Sequence, residues 1–136
     1  MKKIIILLMA TLFFTLLHGC YDRDIIDRKE FYYELPAVEN VAYTESGNTV
    51  TLTWDIPSTV SDDFNRPLEV MVQLVANDVY GERRIIGNEG TSTEFAIEAG
   101  TRYRFIVKLL GYLTEEARLE GFTDQVFSGA VIIEID

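Results

Sequence analysis

Thr49-Val50-Thr51-Leu52-Thr53-Trp54-Asp55-Ile56 alternates polar and apolar side chains along its whole length. Successive side chains of a strand point to opposite faces, so Val50, Leu52, Trp54 and Ile56 are predicted to share one buried face. Ser46-Gly47-Asn48 just before them is a turn signal. Outward from this stretch the same period returns. Leu68, Val70, Val72, Leu74 and Ala76 predict a second strand, and a tight turn near Asp78 to Gly81 leads to Arg83-Arg84-Ile85-Ile86, closed by Gly87-Asn88-Glu89-Gly90. Phe95 and Ile97 belong to a further strand, Tyr103, Phe105, Val107 and Leu109 to a long one after Gly100, and Val126 to Asp136 carries the last. No helical window interrupts them. Seven short strands predict an all-β fold, an antiparallel sandwich whose two sheets bury their alternate faces against each other.

Two features give this sandwich a family likeness. One is Leu52-Thr53-Trp54 followed by Pro57; the other is Ile97-Glu98-Ala99-Gly100-Thr101-Arg102-Tyr103. The second is similar to the hydrophobic-x-Pro-Gly-Thr-x-Tyr stretch of fibronectin type III domains, with Ala99 where Pro is common. The resemblance covers roughly Pro36 to Asp136. It implies that Trp54 is a core centrepiece and that the Tyr103 hydroxyl bonds nearby backbone at a corner. It departs after Leu110, where Gly111 to Asp124 makes a longer connection than a minimal domain of this type needs.

The beginning of the chain has a different character. Lys2 and Lys3 precede an apolar run from Ile4 to Leu17, interrupted only by Thr11 and Thr15, and Gly19 precedes Cys20. This is a signal-peptide layout, with an apolar run shorter than the about 20 residues of a spanning helix. Leu17, His18, Gly19 and Cys20 resemble the lipobox of bacterial lipoproteins, with His18 where a small residue is usual. The resemblance implies a diacylglycerol on the Cys20 sulfur and cleavage before Cys20, so that lipid holds the protein on a membrane. The expected organisation is a signal peptide over 1–19, a lipidated tether over 20–36 and the fibronectin type III-like domain over 37–136. Asp22, Asp24 and Asp27 look like acidic tracts that send some lipoproteins of the Bacteroidota to the cell surface. Tyr21 is not the Asp that commonly retains lipoproteins at the inner membrane, so the outer membrane is expected, with the domain facing outward or into the periplasm.

Composition narrows the chemistry. The formal net charge is −10, and Lys2 and Lys3 would leave with the leader, so the exported chain is more acidic still. Such a chain repels phosphate backbones, which argues against nucleic-acid binding. Cys20 is the one cysteine and His18 the one histidine. After cleavage the chain has neither a histidine nor a thiol free for nucleophilic chemistry or for a His-based metal site. No enzyme, cofactor or metal site is expected.

The fold does not choose a function, so the loops must. In the fibronectin type III arrangement the loop from Pro57 to Pro67 and the loop from Gly111 to Asp124 lie at one end of the sandwich. The first holds Asp62, Asp63 and Phe64, whose carboxylates match no standard calcium loop and read as a solvated turn. The second holds Tyr112 and Phe122, whose rings would suit stacking on sugar faces or would tuck beneath a long loop. The expectation is a lipid-anchored, non-catalytic binding or accessory module that meets a glycan or an envelope protein. The rival is a structural spacer that pairs through its edge strands, with Val131-Ile132-Ile133-Glu134-Ile135 as the strand to donate.

Overall fold

The alternation at residues 49–56 is realised as a strand whose Val50, Leu52 and Trp54 are buried and whose Thr53 and Asp55 face solvent. The computed structural model describes residues 33–118 and 120–136, which contain strands and no helix. The strands are β1 (Glu39–Ser46), β2 (Thr49–Asp55), β3 (Glu69–Ala76), β4 (Val79–Ile86), β5 (Ser92–Ala96), β6 (Tyr103–Tyr112), β7 (Gln125–Phe127) and β8 (Val131–Ile135). They form two antiparallel sheets. One has the order β1-β2-β5; the other has the order β4-β3-β6-β7, with β8 also on β6.

Among the described residues eight strands stand where seven were expected, because the last one is interrupted. Phe127 pairs with Leu110 and Val131 pairs with Val107, so β7 and β8 follow the same edge of β6. Between them the chain leaves the ladder at Ser128, whose hydroxyl accepts the Leu109 N–H at 2.8 Å and donates to the Gly129 carbonyl at 2.8 Å. The hydroxyl supplies a partner to backbone groups at the break.

The core lies between the sheets. Val50, Leu52, Trp54 and Phe95 of the smaller sheet meet Val70, Val72, Phe105, Val107 and Leu109 of the larger one. Phe95 and Phe105 meet ring to ring at 5.2 Å and 50°, a tilted arrangement that suits the aromatic quadrupole. Leu35 and Val38 are buried in this same core, and Tyr33 packs against it. The piece of the expected tether that the structure describes therefore packs on the domain.

Turn chemistry explains the connections. Gly47 has φ +60, the left-handed value that the first central residue of a two-residue β1–β2 hairpin requires. The β3–β4 hairpin turns at Asn77 and Asp78, both with positive φ, so it closes at the start of the expected Asp78 to Gly81 stretch. Gly81 instead belongs to a bulge: Gly81 and Glu82 stand opposite Leu74, and the Gln73 side-chain amide donates to the Leu74, Gly81 and Glu82 carbonyls. Arg84 closes the sandwich on this side. It reaches across to β5, where its guanidinium lies 4.3 Å from the centre of the Phe95 ring and donates to the Glu94 carbonyl.

The antiparallel course fixes two ends. Residues 33–38, 57–67, 87–90, 113–118 and 120–124 gather at one, because Glu39 pairs with Asp55 and β6 ends at Tyr112. The hairpins at Gly47 and Asn77, the Gly100 turn and Asp136 gather at the other.

Candidate functional site

The two candidate loops share one end and are stitched together. The Asn65 N–H donates to the Tyr112 carbonyl at 2.8 Å, the Thr114 N–H to the Asp63 carbonyl at 2.8 Å, and the Asn65 side-chain amide to the Leu113 carbonyl at 3.1 Å. Phe64 and Leu113 form an isolated bridge between these contacts. The longer loop is braced in turn, with the Leu113 N–H donating to the Asp124 carbonyl at 2.8 Å and Arg118 paired with Asp124 at 2.9 Å. The two loops thus satisfy each other's backbone groups across this end.

The candidate residues separate on this frame. Phe64 is buried at 4% exposure, with its ring against Gly111, where an added Cβ would come within 2.8 Å of Phe64 Cδ1. It is a core residue. Asp63 is half-buried and accepts the Ser61 hydroxyl at 2.6 Å, whereas Asp62 is exposed. Among the described residues no group of three or more His, Cys, Asp or Glu side chains is placed to hold a metal ion.

Tyr112 and Phe122 are exposed at 37% and 44%. Tyr112 sits at the end of β6 on the outward side of the larger sheet, and its hydroxyl accepts the Gln125 amide at 3.3 Å. Phe127, two residues beyond Gln125 and opposite Leu110, is exposed on the same side. Sequence reasoning passed over Phe127; its signal was the two-residue spacing from Gln125 inside the last apolar stretch.

Trp54 and Tyr103 lie away from this surface. Trp54 is fully enclosed, and its indole Nε1–H donates to the Gly90 carbonyl at 2.9 Å. The Tyr103 hydroxyl accepts the Glu98 N–H at 2.8 Å across the turn before β6. At that opposite end Glu45, Asn48, Glu98, Thr101 and Asp136 line a shallow hollow of 160 Å³. Leu17, His18, Gly19 and Cys20 lie outside the described residues.

A second ion pair at the loop end joins Arg66 and Glu89. Arg66 donates to the Glu89 carboxylate at 2.5 Å, and the Leu68 N–H reaches the same oxygen at 3.3 Å. The Arg66 hydrogen bond holds the Glu89 carboxyl below its ordinary value, outweighing the rise that partial burial would cause. Glu82 is held down in the same sense by its hydrogen bond from Arg84.

Fold and surface together define an all-β, two-sheet domain with a braced loop end and exposed aromatic rings beside it. The chain belongs to the DUF4945 family, a domain of unknown function whose model matches residues 20–135. Among solved structures it is similar to the spore cortex lytic enzyme SleM of Clostridium perfringens, with 17% identity and a TM-score of 0.42. That likeness covers 74% of this chain and 28% of the SleM chain, so the chain spans little more than a quarter of that enzyme. No curated protein matches the chain.

Proposed function

We propose that this chain is a lipid-anchored envelope protein, a small lipoprotein of the Bacteroidota type, whose domain is a non-catalytic binding or accessory module. The observation that carries the anchoring is the coincidence of two boundaries. The family match starts at residue 20, the cysteine that follows the apolar leader and the lipobox-like Leu17-His18-Gly19. The domain is of the fibronectin type III kind, a reading supported by the strand order and by the Tyr103–Glu98 corner. Its working surface is the loop end with Tyr112 and Phe122, which offers rings for stacking on a glycan or for packing against an envelope protein.

The anchoring is tested by growing cells with a clickable fatty acid. The wild-type chain takes up label and fractionates with the outer membrane; Cys20→Ser takes up none and runs as an uncleaved precursor. Equal labelling of both chains would refute the lipid anchor. Recognition is tested on a glycan array with the wild-type chain beside Tyr112→Ala and Phe122→Ala. Loss of a signal in the variants supports the loop surface, and an unchanged signal removes it.

A further inference from the structure

Exposed apolar side chains are unevenly spread over the two outward faces. The outward face of the smaller sheet is polar, with Thr44, Thr51, Thr53, Ser92 and Glu94 across its strands. The larger sheet differs. Its register sets Ile85 beside Met71 and Lys108 in one row, and Arg83 beside Gln73, Ile106 and Ile132 in the next. Val70, Val72, Ile86, Val107, Val131 and Ile133 all pack inward, so these two rows face outward. Ile85 and Ile132 are each 54% exposed, and Met71 and Ile106 between them are half-buried.

Within the two apolar rows the charged side chains are both cations, Arg83 and Lys108, while Glu69 and Glu134 face outward in the rows on either side. Arg66, Arg84, Arg102, Arg104 and Arg118 each stand in an ion pair with an Asp or Glu. Arg83 and Lys108 form none among the described residues, although acids outnumber bases 22 to 12 in the sequence. We propose that this face docks an acidic amphipathic segment of a partner protein, whose apolar side covers Met71, Ile85, Ile106 and Ile132 while its carboxylates reach Arg83 and Lys108.

Charge complementarity selects this occupant. Two apolar rows whose own charged side chains, Arg83 and Lys108, stand in no ion pair among the described residues match a ligand that is itself apolar and anionic. A bilayer of anionic lipid has the same local chemistry, but the net charge of −10 repels it as a whole, whereas a single segment meets only the face. Strand addition at the β4 edge is disfavoured, because the bulge at Gly81 and Glu82 breaks the ladder there.

The test follows backbone amide shifts of the isotope-labelled full chain as a short synthetic Leu/Glu amphipathic helix is added. The same peptide with Lys for Glu, and phosphatidylglycerol vesicles, are added in parallel. The Leu/Glu peptide is expected to move the amides of Met71, Gln73, Ile106 and Ile132. Arg83→Glu combined with Lys108→Glu should weaken it by roughly tenfold or more, a difference of about 1.4 kcal/mol. Ile132→Ser, a change at an exposed position, should weaken it with the charges intact. The proposal is overturned if the shifts fall elsewhere, if the Lys peptide moves the same amides equally, or if only the vesicles move them. Because the loop aromatics are untouched, failure here leaves the glycan-array result standing, and the converse holds.

Discussion

The Tyr103 hydroxyl takes the Glu98 N–H at 2.8 Å, five residues back along the chain, and so pins the turn at Gly100 to the start of β6. Tyr103→Phe keeps the ring, its burial and its 6.4 Å stack with Phe105, and deletes only the acceptor. The loss should be about 1–2 kcal/mol, the cost of an amide left without its partner. Thermal unfolding reads this as a fall of roughly 4–8 °C per kcal/mol in a domain of this size. An unchanged melting temperature would mean that the corner bond is replaced by water at no cost.

Phe64 fills the space that Gly111 leaves open. Gly111→Ala would drive a methyl group to 2.8 Å from Phe64 Cδ1 and 3.3 Å from Leu68 Cδ2, and should destabilise by about 1–3 kcal/mol through overpacking. Phe64→Ala removes the ring instead and should cost about 3–5 kcal/mol. The double variant, with the added methyl group in the vacated space, should lose less than the two changes summed. Strict additivity in urea unfolding would show that the two sites do not touch.

Tyr112 and Phe122 should behave in the opposite way to Phe64. Each is more than a third exposed, so replacement by Ala should shift stability by about 0.5 kcal/mol or less. Chemical denaturation of the two variants checks this before any binding result is interpreted. A large loss in either would identify it as a packing residue and remove it from the recognition surface.

Glu89 gives the fold an acid-sensitive contact. Its folded carboxyl titrates below the ordinary value of 4.5 because Arg66 donates to the ionised form. The stabilisation is therefore fully present above the unfolded value and is lost as pH falls through the lower folded one. The pair is partly exposed, so Glu89→Gln should cost less than about 1 kcal/mol at neutral pH. Urea midpoints of wild type and variant should draw together as pH falls below 4.5 and through the lower folded value of Glu89. A gap that persisted in acid would assign the effect to packing in the turn.

Where alternation is strict, the sequence foretells the structure well. Val50, Leu52 and Trp54 face inward as their spacing requires, and so do Leu68, Val70 and Val72. The corner at Tyr103 was legible from a local motif. Phe64 was not, because one ring among Asp62, Asp63 and Asn65 has no period, and its burial depends on Gly111, distant in sequence. The β3–β4 turn was legible only to within a few residues, because Gly81, in the expected Asp78 to Gly81 stretch, is as apt for a bulge as for a hairpin. The outward apolar rows escaped notice for a related reason. Alternation shows which side of a strand is buried, but only the register sets Ile85, Met71, Ile106 and Ile132 side by side on neighbouring strands.

Because the described chain enters beside the loop end and leaves at the opposite one, a pull between Tyr33 and Asp136 runs along the strands. Such a load shears β1 against β2 and β8 against β6, so the hydrogen bonds of each ladder resist together rather than opening one by one. For a domain held at one end and gripped at the other, this is the geometry in which a sandwich bears tension.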